Sequence, residues 1–458
     1  MSAHEIVEQA LALSKADSCV VIADEESSAN LRWANNAVTT NGLTRGRTLT
    51  VVAFVDGAEG VASGVVSRAA VTEDELEPLV RAAEAAARDA GPADDAAELV
   101  TGDAAADFAD APEEATASVF GTFGRDLGAA FAEAGGADRG LYGFAQHTVT
   151  TTYLASSTGL RLRYVQPTGT LELNAKSADR TRSAWSGVSV RDFADVDLPA
   201  IAADLNRRLD WAARHVDLPA GRYETVMPPS SVADLMIYQY WESGARNAVE
   251  GRSVFSAPGG RTKIGERLSP LPLSLYSDPT EPGLECSPHA IVRSSGDDES
   301  VFDSGLRHGR TDWVREGVLN ALAGSRYTAG LAGLPPTPYV GNLVLDGGGT
   351  ASVDEMVAST ERGLLLTCLW YIREVDPATL LLTGLTRDGV YLIEHGEITA
   401  AVNNFRFNES PVDLLSRTVE AGRTTPTMSR EWGDYFPRTA MPALRVPDFN
   451  MSTVAPGV

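Results

Sequence analysis

The stretch that most constrains this chain runs from Tyr223 to Phe255, YETVMPPSSVADLMIYQYWESGARNAVEGRSVF: an apolar, β-branched run is stopped by two prolines and followed at once by a helical pattern. Residues 223–227 predict a strand, Pro228 and Pro229 end it, and Ser230 or Ser231 supplies the cap of a helix over 230–250. Val232, Leu235, Met236, Tyr240 and Trp241 recur at helical spacing, which predicts a core-facing stripe. Glu242, Arg246 and Glu250 follow at successive i,i+4 steps. They read either as a solvated, salt-bridged face or as substrate or interface contacts.

A chain of 458 residues exceeds what one core fills, since cores stop growing near about 250–300 residues. Two domains are expected, in an α+β fold. Residues 1–217 read as a mixed α/β domain: a helix over 4–15, strands at 18–24, 31–38 and 47–55 leading into an Asp56-Gly57 turn, and a helix over 72–90 opened by Thr72. A helix over 124–134, an antiparallel meander over 141–152, 158–170 and 170–177 with a Ser-Thr-Gly turn, and a helix over 198–216 complete it. Residues 93–117, almost all Ala, Asp and Glu, predict a mobile acidic loop. The boundary is expected near Leu218–Gly221. Residues 218–458 read as a β-rich domain of antiparallel strands around the helix of 230–250, with turns at Asp388-Gly389 and His395-Gly396 and a helix from Val353 to Glu361. Residues 257–310 are irregular and rich in Gly, Pro, Ser and Asp, a length that points to a functional or partner-covering segment.

A net charge of −24 and a pI near 4.6 argue against binding a phosphate backbone, so nucleic acid is not an expected partner. Cys19, Cys286 and Cys368 are too few and too scattered for a disulfide framework. The first residues carry early acids and lack a basic start and an apolar core of a signal peptide, and no apolar run is long enough to span a membrane. A cytoplasmic protein without membrane contact is expected.

Catalytic signatures are sparse. Cys286-Ser-Pro-His289 is a C-x-x-H pair that could begin a metal site or simply be a loop thiol; no second half of comparable spacing follows. The histidines share no i,i+4 spacing, no Gly-x-Ser-x-Gly elbow supports a serine nucleophile, and the DGGG of 346–349 lacks the Lys-Ser/Thr of a phosphate loop.

The order strand, Pro-Pro-Ser, helix, Glu-Gly, Ser253–Ser256 resembles the middle of the TldD/PmbA family of metallopeptidase-related proteins. The resemblance extends to LRWANNAVTTNGLTRGRTLTVVAFVDGAEGVASG at 31–64, to Ser277–Thr280 followed by Pro282-Gly283, to GLLLT at 363–367 and to DGVYLIEHGEITAAVNNFRFN at 388–408; it also favours a hairpin at Glu316-Gly317 over a helix in 311–323. In that family the TldD-type subunit carries His-Glu-x-x-x-His on this helix and a Cys after the later hairpin. Laid on that motif, the two His fall on Trp241 and Arg246 and the Glu on Glu242, while AGRTTPTMSREWG at 421–433 holds no Cys. An indole and a guanidinium cannot ligate zinc.

The resemblance therefore implies a TldE (PmbA)-type subunit with no catalytic residue and no metal of its own, and with zinc on a TldD-type partner. The expected assembly is a heterodimeric metallopeptidase acting on unfolded or small peptides or on a peptide-like biosynthetic intermediate, with this chain forming part of the chamber. Arg246 could there neutralise a peptide carboxylate. A stand-alone homodimeric peptide-binding or modulator protein is the alternative.

Overall fold

The computed structural model describes residues 1–455. A six-stranded antiparallel sheet uses only the N-terminal part of the chain: β1 (Ser18–Ala34), β2 (Ala37–Gly57), β3 (Gly60–Ala69), β4 (Arg139–Ser156), β5 (Arg161–Ser177) and β6 (Ser183–Val190), in the order β3-β2-β1-β4-β5-β6. Its strands alternate. Cys19, Val21, Ala23 and Tyr153 face α1 (Ala3–Leu13) and α2 (Glu73–Asp89). Further along the same face, Ala29, Trp33, Leu171 and Leu173 face α3 (Gly121–Gly136) and α4 (Leu198–Trp211). Val20, Ile22, Val52 and Phe54 point the other way and are covered by Ala290, Val292, Val301 and Phe302 from far along the chain. Residues 290–302 thus roof the second face of the first sheet, with the Phe54 and Phe302 rings 4.7 Å apart, while the stretch 257–310 read as irregular also contains the strands Arg261–Thr262 and Ser274–Ser277.

Several boundaries differ from the sequence reading. The run 31–38 is not one strand, because the chain reverses at Asn35-Asn36, both with positive φ, the conformation a tight hairpin demands and Asn tolerates. Residues 158–170 and 170–177 form one strand, β5, after the Ser-Thr-Gly turn. The next reversal is at Ala58-Glu59, just past Asp56-Gly57. The helix expected to reach 216 ends at Trp211, and His215–Val216 forms a two-residue strand, β7. Residues 93–117 are irregular but tied down: Phe108 enters the core, Tyr153 Oη donates to the Asp110 carbonyl at 2.6 Å, and Ala115 N donates to Ser27 Oγ at 2.7 Å.

The remaining chain makes two large sheets and a two-stranded one (Ser256–Ala257 with Arg261–Thr262), and the helix singled out in the sequence lies between the two large ones. In the ten-stranded sheet, β8 (Gly221–Met227) pairs parallel to Arg362–Leu366 and antiparallel to Leu444–Val454. A smaller six-stranded sheet contains Ser274–Ser277, Thr311–Arg315 and Leu343–Asp346, and the hairpin at Glu316-Gly317 joins Thr311–Arg315 to Val318–Leu319. Between them, α5 (Pro229–Trp241) is buried on nearly every side, not along a stripe alone, with Leu364, Leu366 and Phe449 of one sheet and Leu275, Leu343 and Leu345 of the other in the same core. Its N-cap is Pro228, with Pro229 at the first helical position, where a missing N–H costs nothing. Ser231 instead donates Oγ to the Leu366 carbonyl at 2.7 Å, tying the helix to the sheet. The helix expected over Val353–Glu361 closes at Ala358. Among the described residues, no helix is long and apolar enough to cross a membrane.

Candidate functional site

The expected helix of 230–250 is broken in two. α5 ends at Trp241 and Glu242 is its C-cap; a separate short helix, α6 (Ala245–Val249), carries Arg246 and is closed by Glu250. Between them Ser243 turns its Oγ onto the Tyr240 carbonyl at 2.6 Å, while Ala323 N donates to Ser243 O and Ala245 N to Ala323 O. These bonds replace helical ones, so the chain leaves the axis. Gly244 lets Asp298 come close: a Cβ on it would meet Asp298 Oδ2 at 1.9 Å and would push that carboxylate aside.

The break separates the charged residues read as one face. Arg246 pairs with Glu250 at 3.1 Å and approaches Asp297 at 3.8 Å, whereas Glu242 makes no ion pair among the described residues. Glu242 is half-buried, and burial first, then the charges of Glu374 and Asp298, push its pKa up. The hydrogen bond to Glu250 holds Arg246 firmly protonated. Asp298 accepts from Arg246 N at 3.2 Å, yet burial raises its pKa to about 6.

Trp241 is part of an aromatic cluster. Its ring meets Trp432 edge-on at 5.2 Å and Phe436 at 6.4 Å, and Tyr238 meets Trp432 at 5.6 Å. Trp432 belongs to the 421–433 stretch, in which the family's Cys has no counterpart. That stretch is fastened to the helix by Asp234, which accepts from Glu431 N at 2.9 Å and from Ser429 Oγ at 2.5 Å, and whose carbonyl accepts from Trp432 Nε1 at 3.1 Å. Asp234 is fully buried, its second oxygen has no partner among the described residues, and desolvation lifts its pKa to about 7. Nothing in the sequence marks this role, since Asp234 sits next to Leu235 as an ordinary helix acid.

Two adjoining recesses open beside the break. One, of about 380 Å³, is walled by Tyr240, Trp241, Tyr339 and Phe436. The other, of about 260 Å³, lies between the first sheet and the 286–308 segment, is lined by Tyr164, Cys286, His289, His308, Asp298 and Arg438, and shares Glu299, Tyr339 and Gly341 with the first. Cys286 and His289 thus reach one cavity. Burial pushes the Cys286 thiol up and holds His289 and His308 toward the neutral imidazole. Among the described residues, no group of three or more His, Cys, Asp or Glu is disposed to hold a metal ion. The side chains at the motif positions do not fit zinc: one is an indole packed on another indole, the other a guanidinium held by carboxylates.

Residues 220–453 match the family described as PmbA/TldA metallopeptidase C-terminal domain, and residues 19–87 match its domain 1. The chain belongs to the PmbA/TldD family. Its fold is similar to that of TldE from Thermococcus kodakarensis, at 14% identity, a TM-score of 0.77, and coverage of 97% of this chain and 98% of that one. It is also similar to a Thermotoga maritima protein described as a candidate modulator of a DNA gyrase (18% identity, TM-score 0.76, coverage 97% and 99%). A Bacteroides thetaiotaomicron protein described as a candidate modulator of DNA gyrase is similar too (16%, 0.73, 98% of each chain). No curated protein matches. Over the stretch where the PmbA/TldD resemblance places a metal helix, this member carries an aromatic cluster and a chain break.

Proposed function

We propose that this chain is the TldE-type, non-catalytic subunit of a cytoplasmic TldD/TldE heterodimeric zinc metallopeptidase that acts on unfolded or small peptides or on a peptide-like biosynthetic intermediate. One observation carries the reading: at the positions of the two family imidazoles stand Trp241, packed on Trp432, and Arg246, on the next short helix and paired there with Glu250. Neither side chain can be turned into a ligand by a small movement.

Zinc on the TldD-type partner would supply a bound water of pKa near about 7 and a Lewis acid for the scissile carbonyl. This chain contributes walls. Its Trp241–Tyr339 recess and the carboxylates of Asp298 and Glu299 line adjoining recesses, the Arg246 amide donates to Asp298, and Glu242, Arg246 and Glu250 serve as interface or substrate contacts. A peptide held as an added strand would draw sequence-tolerant affinity from its backbone.

The test is expression of the chain alone and together with a TldD-type subunit from the same genome. The isolated chain is expected to hold no stoichiometric zinc and to cleave no peptide, and the co-purified pair to do both. Zinc and cleavage in the isolated chain overturn the assignment. A stable homodimer that ignores the TldD-type subunit favours the stand-alone peptide-binding or modulator reading.

A further inference from the structure

Among the described residues, Arg438 is the arginine lining the 260 Å³ cavity that makes no ion pair. Its Nε donates to the Gly341 carbonyl at 2.9 Å and its Nη1 to Thr168 Oγ1 at 3.1 Å; both acceptors are neutral, and Nη2 has no hydrogen-bond partner among the described residues. The other lining arginine, Arg293, is matched by Asp24 at 2.7 Å, and nearby Arg191 and Arg326 by Glu285 at 2.9 Å and Asp303 at 2.5 Å. Arg191 adds to the positive potential at Arg438 and does not relieve it. A largely buried guanidinium without a carboxylate costs free energy that a bound anion would return.

The same lining also carries acids. Asp298 and Glu299 line the cavity, and Asp298 receives only a backbone N–H from Arg246, whose guanidinium is turned to Glu250 and Asp297. His308 donates Nε2 to the Ser287 carbonyl at 3.0 Å, which fixes the tautomer and leaves Nδ1 as a buried acceptor without a partner among the described residues. Next door, the aromatic recess shows ring faces, because its hydroxyls are spent internally: Tyr339 Oη donates to the Trp241 carbonyl at 3.0 Å and Tyr240 Oη to the Val340 carbonyl at 3.0 Å.

We infer that this crevice is a binding site, in this chain itself, for a small zwitterion bearing an apolar side chain: an α-amino acid or a dipeptide. The carboxylate sits on Arg438, the ammonium faces Asp298 and Glu299, and the side chain fills the recess of Trp241, Tyr339 and Phe436. Recesses of about 260 and 380 Å³ have room for one or two residues. The inference stands apart from the heterodimer reading, since no partner side chain is invoked.

Calorimetric titration of the full chain, alone and with its TldD-type partner, tests it with L-phenylalanine, glycyl-L-phenylalanine, N-acetyl-L-phenylalanine and L-phenylalaninamide. At least one zwitterion is expected to bind, and each of the two blocked compounds to bind roughly tenfold or more weakly. Whether the amino acid or the dipeptide is preferred identifies the source of the ligand. Glu299→Gln is expected to weaken the zwitterion and to leave N-acetyl-L-phenylalanine unchanged; Arg438→Gln, checked for folding by circular dichroism, is expected to weaken both. Equal binding of blocked and free compounds, or no binding of any of them at millimolar concentration, overturns the inference. Zinc content and cleavage by the pair remain a separate result, so either reading can fail without the other.

Discussion

The first sheet and the layer around α5 are built on different principles. In the first sheet, consecutive hairpins lie side by side, one face takes four helices, and each strand repeats every second residue. Around α5, strands distant in sequence meet, with β8 inserted between Arg362–Leu366 and the final strand, and the helix is enclosed by two sheets. The sheet can be assembled by local pairing. The helix layer depends on a few long-range polar fastenings, and those are where substitution and pH should act most strongly.

The largest contrast is expected in pH dependence. Asp234 has an ordinary carboxyl pKa of 3.8 when unfolded and one of about 7 when folded, so between these values the native state holds a proton that the unfolded chain has released. Stability contributed by this group is complete below pH 4 and declines as pH rises toward 7, by up to about 4 kcal/mol. Asp234→Asn should flatten that decline in urea unfolding curves taken across this range; an unchanged slope would show that the carboxyl is ionised in the fold.

Trp432→Ala comes next. It removes the ring against Trp241 and Tyr238 and the bond to the Asp234 carbonyl, and should cost about 3 kcal/mol by urea denaturation. A loss below about 1 kcal/mol would mean that the aromatic cluster is ornamental to the packing.

The smallest effects come from a pair of glycines. Gly244→Ala forces Asp298 off the Arg246 amide and should destabilise by about 1–3 kcal/mol. Gly128→Ala in α3, with nothing within 4 Å of the new methyl, should stabilise by about 0.5–1 kcal/mol. Opposite signs in thermal melts are the expected outcome, and matching signs would erase the distinction between the two regions at this level.

Much of the first sheet is legible in the sequence because half-buried strands advertise themselves: 141–152 lies within β4, the Ser-Thr-Gly turn joins β4 to β5, and Thr72 opens α2 in a capping box with Glu75. The stripe on α5 understates its burial, since a helix covered on both sides has no polar face to contrast with. Its expected continuation to residue 250 fails at Ser243-Gly244, where bonds to Ala323, some eighty residues away, outcompete helical ones. Trp241, Glu242 and Arg246 can be named from the sequence, but their separation onto two helices cannot.

That the two positions matched to the family's imidazoles hold no zinc ligand follows from the sequence alone, because no conformation gives an indole or a guanidinium a lone pair to offer the ion. Family, β-rich architecture and the place of the key helix were also written there, as local patterns and their order. What only the folded chain decided was which distant side chains meet: Trp432 on Trp241, Ser429 on Asp234, Arg438 facing a cavity closed by the 286–308 segment. Such meetings carry no periodic signal, since they are fixed by the packing of sheets whose strands lie far apart along the chain.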